Sequence, residues 1–397
     1  MSVLAALLTV VAVLVAIPCL VLFIECLVAL LPGRGGAPAS SGPRPRAAVL
    51  IPAHDEELGI AATVTGLRAQ LDPQDRLIVI ADNCSDGTAA AARAAGAEVI
   101  ERRDTSKRGK GFAIVFAVDH LEASGPPEAV IIVDADCRIS AGGLELLARE
   151  AVATNRPVQG EYVLGAPERP TPRGVISALA VLLRNRVRPL GMLRMGFPAH
   201  LTGSGMAFPW AVLRAAPHPG GNLVEDLVMG IEFALAGHPP LHCPRVEVSS
   251  ELPEGDDVAL GQRRRWEHGQ LATLREYAPR LIGAGLRRGR LELLAMGLDL
   301  AVPPLALLVM MAGAATAVAA IAAWLGVSTL PLTILLGALA LLAIAVLSTW
   351  ARFGGEKLPL RYAVVVPFYV LWKIPLYFTF FLKGKHKTWE RTRRKGE

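Results

Sequence analysis

The residues of this sequence that are best suited to chemistry are carboxylates that follow short apolar runs. Asp134 and Asp136 stand one residue apart, directly after the apolar run Val130–Val133. Two carboxylates with this spacing on a strand-end turn can hold a hard divalent cation, one directly and one through a nucleotide or a water. Taken alone, an Asp-x-Asp pair is more typical of a solvated acidic turn, so the interpretation depends on the other polar groups of the chain.

Three of these groups carry residue types that fit a nucleotide, its phosphates or acid–base chemistry. Asp82 closes a second apolar run, where a carboxylate can accept a hydrogen bond from a base N–H. Lys110 belongs to a predicted Gly-flanked basic loop, KRGKG, which fits phosphates but lacks the residue order of a P-loop. Asp226 follows Glu225 in an apolar stretch with helical spacing, where a carboxylate beside a low-dielectric wall can act as a base.

A fourth group is the sequence QRRRW, which contains Gln262, Arg265 and Trp266. An Arg can bind a departing diphosphate through two parallel hydrogen bonds. A Trp presents an apolar platform on which the face of a sugar can lie. Together the four groups and the acidic pair predict a site for a nucleotide diphosphate, a sugar and a divalent cation.

Short apolar runs alternate with segments of helical spacing from Arg46 onward. This alternation predicts an α/β domain with a mostly parallel central sheet, in which ligands lie beyond the carboxyl ends of the strands. The polar clusters that begin at His54, Asp82 and Asp134 each follow a predicted strand, so we expect them to meet at one edge of the sheet. The predicted strands are Ala47–Ile51, Leu77–Ala81, Glu98–Glu101 and Val130–Val133, and the predicted helices are Leu58–Gln70, Asp86–Gly96 and Phe112–Leu121.

The composition indicates a membrane protein. Of the 397 residues, 52% are hydrophobic and 19% are charged, against about 25% charged in a typical soluble protein. A purely soluble or disordered protein is therefore excluded, and residues 32–299 leave room for one sizeable polar domain. Glu25, in the first apolar run, is expected either to face neighbouring helices or to reach the end of the run. Runs long enough to cross a bilayer as helices are Val3–Leu31, Leu300–Leu325, Val327–Trp350 and Tyr362–Leu382.

The charge distribution favours a cytoplasmic polar domain. The net charge is +6, and basic clusters at 34–46, 287–290 and 383–395 lie beside apolar segments, as expected of anchors on anionic lipid. No nucleic-acid partner is expected, because the clusters lack interleaved aromatic residues. The five cysteines lack CxxC spacing, which favours a reduced compartment. Two basic amphipathic stretches, 174–193 and 262–281, fit a membrane interface, the alternative being surface helices packed on the sheet.

These patterns predict a multi-pass protein of the plasma (inner) membrane. The predicted divisions are an N-terminal transmembrane helix (1–31), a linker (32–45), the α/β domain (46–270), an amphipathic interface segment (271–299), a C-terminal membrane region (300–382) and a basic tail (383–397). Lys373, Pro367 and Pro375 interrupt the last apolar run. We therefore expect 362–382 to be a kinked re-entrant or interfacial element with a cytoplasmic tail, the alternative being a fourth span with an external tail.

The motifs occur together in a known order. The sequences PAHDEE (52–57), DNCSDGT (82–88), KRGKG (107–111), DAD (134–136), TGSG (202–205), ED (225–226) and QRRRW (262–266) resemble those of the membrane-integrated inverting glycosyltransferases of family 2. That family includes cellulose, chitin and hyaluronan synthases, poly-N-acetylglucosamine synthase and ceramide glucosyltransferase. The resemblance covers about residues 46–270 and implies a GT-A fold, the fold of nucleotide-diphospho-sugar transferases, flanked by membrane helices.

The resemblance also implies a role for each matched residue. Asp226 would be the general base, and Asp136 would hold a divalent cation, Mg²⁺ or Mn²⁺. The residues expected to bind substrates are Pro52, Ala53 and Glu56 along the nucleoside, Asp82 at the uracil, Lys110 at the diphosphate, Asp134 at the nucleotide and the metal, Gly203 and Ser204 on the acceptor side, and Gln262, Arg265 and Trp266 over the diphosphate and the acceptor sugar.

The implied function is inverting transfer of a sugar from a UDP-sugar to a hydroxyl acceptor at the cytoplasmic membrane face. A polysaccharide synthase is the first interpretation, and single-sugar transfer to a membrane lipid is the alternative. Two departures weaken the case for chain elongation: Val224 stands where chain-extending synthases commonly carry Thr, and no gating-loop motif of the cellulose-synthase kind follows Trp266. A transporter with a nucleotide-sensing domain, the rival class, is disfavoured because transporters usually have more spans and matched intramembrane polar residues.

Overall fold

A computed structural model of the chain describes residues 3–32, 42–164, 171–215, 225–250, 256–355, 358 and 360–383. The chain divides into two compact units. We name them the helical unit, which comprises Met1–Gly33, Ala166–Phe197 and Glu267–His386, and the sheet unit, which comprises Arg34–Gly165, Pro198–Trp266 and Lys387–Glu397. The sheet unit differs from the predicted domain of residues 46–270, because residues 166–197 group with the apolar helices.

The secondary structure follows the predicted alternation over residues 47–133, with small differences at the ends of elements. The strands are β1 (Ala47–Ala53), β2 (Arg76–Asp82), β3 (Glu98–Arg102), β4 (Ala129–Ile132), β5 (Cys137–Ile139), β6 (Val158–Leu164), β7 (Met206–Pro209) and β8 (Leu241–Ser250). The α-helices are α1 (Val3–Leu30), α2 (Ile60–Arg68), α3 (Thr88–Ala94), α4 (Lys110–Ser124), α5 (Gly143–Thr154), α6 (Pro172–Leu182), α7 (Arg188–Arg194), α8 (Trp210–Ala215), α9 (Glu225–Leu235), α10 (Asp256–Arg288), α11 (Leu291–Leu300), α12 (Leu305–Trp324), α13 (Leu330–Thr349), α14 (Val366–Trp372) and α15 (Ile374–Lys383).

The described strands form one eight-stranded sheet in the order β3-β2-β1-β4-β7-β6-β8-β5. Strand β1 pairs in parallel with β2 and β4, and β2 pairs in parallel with β3, so the four predicted strands end at one edge. Strands β6 and β8 are also parallel, whereas β7 is antiparallel to β4 and β6 and β5 is antiparallel to β8. The predicted α/β architecture with a mostly parallel sheet is confirmed.

Both faces of the sheet are covered, which explains why its central strands are apolar throughout. Along β1, Val49 and Ile51 belong to one buried cluster and Ala48 and Leu50 to another, because side chains alternate along a strand. The first cluster includes residues of α2 and α5, and the second includes residues of α4 and α9. Parallel strands buried on both faces appear in sequence as the continuous hydrophobic runs seen here.

The helical unit is built around α1, which packs against α13 and α7. Ala12, Cys19 and Leu22 of α1 share one buried cluster with residues of α12, α13 and the segment 175–187. This shared apolar core explains why residues 166–197 belong to the helical unit. Within the described part of the chain, three helices are long and apolar enough to cross a membrane, and they match three of the four predicted runs: Val3–Leu30, Leu305–Trp324 and Leu330–Gly354.

The fourth predicted run does not form a single helix. Its residues form a 3-10 turn (Leu360–Val365) followed by α14 and α15, and Lys373 lies at the joint between these two helices. Lys373 is buried, and its ammonium group pairs with the carboxylate of Glu267 in the same unit. A buried lysine requires such a partner, and the bond fixes the joint. The predicted kink is confirmed, and the placement of this segment at a membrane stays a prediction.

The basic pattern over 174–193 does not form a wholly outward face. Arg188 is buried within the helical unit, where its Nε donates to Glu25 Oε2 at 2.7 Å and its Nη2 donates to Asp299 Oδ1 at 2.5 Å. The interpretation of this stretch as an interface helix is therefore wrong for Arg188. Of the two expectations for Glu25, the structure supports the one in which it faces neighbouring helices. Gly191 permits this contact, because a Cβ there would lie 2.1 Å from the Glu25 backbone oxygen.

Candidate active site

The loops that follow β1 and β2 meet at the carboxyl edge of the sheet, as predicted. His54 Nδ1 lies 2.7 Å from the backbone oxygen of Asp82. Asp55 Oδ1 accepts a hydrogen bond from the backbone N–H of Ser85 at 2.6 Å, and its Oδ2 lies 3.1 Å from the Ser85 hydroxyl. Asp55 has a φ of 53°, a left-handed conformation that Asp tolerates better than most residues. The acidic loops after β1 and β2 are therefore held together by hydrogen bonds.

Lys110 connects the loop that contains Gly203 to this edge of the sheet. Its Nζ donates to Asp134 Oδ1 at 2.5 Å and to the backbone oxygen of Gly203 at 2.5 Å. Lys110 is the first residue of α4 rather than part of a loop, and Gly109 before it has a φ of 130°, which favours glycine. One ammonium group thus holds the end of β4, the start of α4 and the TGSG loop (202–205) together.

The predicted base lies beside this ammonium group. A Cβ placed on Gly203 would lie 3.1 Å from Asp226 Oδ2 and 4.0 Å from Lys110 Nζ. Gly203 has a φ of 104°, so both its conformation and the adjacent carboxylate favour a residue without a side chain. Four of the predicted site residues therefore lie in one place although they are far apart in sequence: Lys110, Asp134, Gly203 and Asp226.

The TGSG loop is held by a residue that the sequence motifs do not include. Gln159 Oε1 accepts from the backbone N–H of Thr202 at 2.8 Å, and Gln159 Nε2 donates to the backbone oxygen of Ser204 at 2.8 Å. Gln159 is buried in β6. A polar residue in a buried strand indicates that it has hydrogen-bond partners. The sequence does not show that the partners of Gln159 belong to the TGSG loop.

Ser204 has a different place from the one predicted. Its side chain is fully buried, and its hydroxyl oxygen accepts a hydrogen bond from the backbone N–H of Asp134 at 3.1 Å. A buried hydroxyl cannot line the acceptor side with its oxygen. The bond instead connects the TGSG loop to the acidic pair, so Ser204 positions Asp134.

The acidic pair offers a suitable set of metal ligands. Asp134, Asp136 and Cys137 each have a ligand atom within 4.8 Å of the others. Burial, and then the charges of the two carboxylates, raise the pKa of the Cys137 thiol well above its ordinary value, so the thiol is neutral and a poor ligand. The carboxylate oxygens of Asp134 and Asp136 are the hard donors that Mg²⁺ and Mn²⁺ prefer, and these residues therefore fit the predicted cation.

The positions of a second acidic group are explained by hydrogen bonds, without a bound ion. Asp55, Cys84 and Asp86 also have ligand atoms within 4.8 Å of one another. Asp55 accepts from Ser85, and Asp86 Oδ1 accepts from the backbone N–H of Thr88 at 3.0 Å, so both carboxylates already satisfy backbone donors of their own loops.

Asp82, predicted to meet the base, is itself held by an arginine. Arg102 Nη1 donates to Asp82 Oδ1 at 2.6 Å, and both side chains are buried. Burial raises the pKa of the Asp82 carboxyl above its ordinary value, and the hydrogen bond from Arg102 opposes that rise. The two residues are register partners in β2 and β3. The partner of Asp82 therefore follows from strand register, which the sequence pattern did not supply.

The remaining predicted residues fall into two sets. Pro52 and Ala53 are the last two residues of β1, Glu56 lies half-buried in the following loop, and Trp266 lies half-buried on α10. Gln262 and Arg265 belong to the backbone of α10, and their side chains lie outside the described part of the structure.

One solved structure superposes over most of this chain, and a second gives a weaker match. A mannosyltransferase from Pyrobaculum calidifontis, in complex with GDP-Man and Mn²⁺, is 21% identical and superposes with a TM-score of 0.55 over 92% of this chain and 99% of that one. A glucosyl-3-phosphoglycerate synthase from Mycobacterium tuberculosis, in complex with Mn²⁺, UDP and glucosyl-3-phosphoglycerate, is 20% identical with a TM-score of 0.41, over 61% of this chain and 86% of that one. A search of curated protein sequences found no match.

The likeness to the mannosyltransferase is one of fold, and it agrees with the GT-A architecture predicted for the sheet unit. A sequence model described as glycosyltransferase-like family 2 matches residues 43–269, which is more than half of the chain and contains every motif named above. The protein therefore belongs to glycosyltransferase-like family 2, and it is a glycosyltransferase.

Proposed function

We propose that the protein is a membrane-bound inverting glycosyltransferase that moves a sugar from a UDP-sugar to a hydroxyl acceptor. The observation that carries the proposal is the position of Lys110, whose ammonium group bonds Asp134 and the Gly203 carbonyl beside the carboxylate of Asp226. A cation at the diphosphate, an acidic pair for a metal and a separate carboxylate for a base are the groups that such a displacement requires.

In the proposed reaction, the acceptor oxygen forms a bond to C1 of the sugar as the bond from C1 to the diphosphate oxygen breaks. Asp226 takes the proton of the attacking hydroxyl, and the electron pair of the broken bond leaves with UDP. Lys110 stabilises the negative charge that grows on the departing diphosphate. A divalent cation held by Asp134 and Asp136 would supply further stabilisation of that charge. The Mn²⁺ in the mannosyltransferase of similar fold supports such an ion here.

The proposed acceptor is a growing polysaccharide, with a membrane lipid as the second candidate. The three apolar helices support an acceptor that is in the bilayer or leaves through it. The resemblance of the motifs to those of chain-extending synthases favours a polysaccharide, whereas Val224 in place of Thr favours a single transfer. The size of the product formed by detergent-purified enzyme with a panel of UDP-sugars distinguishes the two.

The first prediction concerns the base. Asp226→Asn keeps the size of the side chain but cannot take a proton, so turnover should fall by about 10²-fold or more while UDP binding is retained. UDP release from the UDP-sugar measures turnover, and titration with UDP measures binding. Asp119→Asn on the exposed face of α4 is the matched control and should keep the wild-type rate. Near-normal turnover in the Asp226 variant would move the base elsewhere, with Glu225 as the next candidate.

The second prediction concerns the metal. Asp136→Ala should abolish transfer, because it removes the carboxylate that we assign to direct ligation. Chelation of the wild-type protein with EDTA should have the same effect, and excess Mg²⁺ or Mn²⁺ should restore the rate of the wild type but not of the variant. Full transfer activity of the chelated wild type would remove the cation from the mechanism.

The third prediction concerns topology. We propose that the protein is multi-pass in the plasma (inner) membrane, with the sheet unit and the basic tail both cytoplasmic. A cysteine introduced at Lys395, in a variant without the five native cysteines, should resist an impermeant thiol reagent in intact cells and react after permeabilisation. Labelling in intact cells would show instead that 362–382 crosses the bilayer and that the tail is external.

A further inference from the structure

Within the described part of the chain, two side chains donate to the same oxygen of the Asp82 carboxylate. Arg102 Nη1 donates to Oδ1 at 2.6 Å, and Asn83 Nδ2 donates to the same Oδ1 at 2.9 Å. Oδ2 takes part in neither bond. Because Asp82 and Arg102 are both more than nine-tenths buried, the carboxylate cannot rotate freely to exchange its two oxygens. Asp82 therefore offers a ligand one open acceptor oxygen, Oδ2. Its other oxygen, Oδ1, already accepts hydrogen bonds from two donors.

The arginine that causes this asymmetry is fixed from several sides. Its Nη2 donates to Asp104 Oδ2 at 3.2 Å, and its guanidinium group lies 5.7 Å from the centre of the Phe112 ring. Asn83 is held by the same loop, because its Oδ1 accepts from the backbone N–H of Asp104 at 2.8 Å. The two donors to Asp82 Oδ1 are thus part of a rigid arrangement and do not depend on a ligand for their positions.

The bases of nucleotides differ in what they present to such a carboxylate. Guanine offers two adjacent donors, N1–H and N2–H, which match a carboxylate with both oxygens open. Uracil offers one donor, N3–H, between two carbonyl acceptors. One open acceptor oxygen matches the single N3–H donor of uracil. The second donor of guanine would instead meet an oxygen that is already saturated by donors, and an unpaired polar group carries a cost.

We infer that Arg102, together with Asn83, sets the base preference of the nucleotide site by leaving Asp82 a single open oxygen, which favours uridine over guanosine diphosphate. The inference rests on the proposed function, since it assumes that Asp82 meets the base. Arg102 acts through Asp82 and is a positioning residue. A merely structural role for Arg102 would weaken the binding of both nucleotides by the same factor, whereas the proposed role changes the ratio of their affinities.

The test is calorimetric titration of the purified full-length protein with UDP and with GDP at one fixed Mg²⁺ concentration. The wild type should bind UDP about tenfold or more tightly than GDP, the discrimination that one lost hydrogen-bonded pair provides. Arg102→Met should lower this ratio to about threefold or less, because Oδ1 is then open to a second donor. Arg103→Met is the matched control, since Arg103 is the next residue and is exposed, and it should keep the wild-type ratio.

A second variant protects the test against misfolding of Arg102→Met. Asn83→Gly removes the other donor to Oδ1 without leaving a buried charge, and glycine tolerates the φ of 54° at this position. Its ratio should also fall, by about threefold. An unchanged UDP-to-GDP ratio in a folded Arg102→Met protein, or in Asn83→Gly if the first does not fold, overturns the inference and leaves the proposed function intact. A wild type that binds neither nucleotide contradicts the proposed function, and a wild type that prefers GDP contradicts both.

Discussion

The candidate site depends above all on the ammonium group of Lys110. Its bonds to Asp134 and to the Gly203 carbonyl connect three parts of the chain that lie on different elements and far apart in sequence. Asp226, beside Gly203, completes the set. A cation among carboxylates balances their charge at low exposure to water, where like charges would otherwise repel one another. In the proposed reaction the same cation faces the diphosphate.

The surrounding structure holds the partners of Lys110 in place. Gln159 fixes both ends of the turn that presents Gly203, and the hydroxyl of Ser204 accepts from the backbone of Asp134. These bonds are made to backbone groups, so they constrain position without contributing reactive atoms. Arg102 likewise holds Asp82, through a buried hydrogen bond to its carboxylate. The reactive residues are therefore supported by further polar residues, of which Gln159 and Arg102 lie outside the motifs.

The sequence pattern predicted what local properties determine. Apolar runs such as Val130–Val133 must be covered on both faces, which predicts parallel strands, and the acidic residues that follow them must then share one edge. The kink at Lys373 was predictable for the same reason, because a lysine and two prolines cannot continue an apolar helix. The order of the motifs then indicated the family, which the hydrophobic periodicity alone does not indicate.

What could not be predicted are pairings between residues far apart in the chain. The burial of Ser204 depends on which loop packs over Asp134, and the arginine at Asp82 depends on the register of β2 and β3. Arg188 has the same sequence pattern as an outward basic residue, and its partners Glu25 and Asp299 on two other helices hold it inward. The membership of residues 166–197 in the helical unit depends likewise on their packing with α1.

The most direct test of this account is the rate of UDP release from a UDP-sugar by purified protein in which Lys110 is replaced by methionine. We expect a fall of about 100-fold or more relative to the wild type, because both the bridge within the site and the charge at the diphosphate are lost. Lys107→Met, which changes an exposed lysine of the same KRGKG sequence, should retain the wild-type rate. Wild-type activity of Lys110→Met would contradict the account.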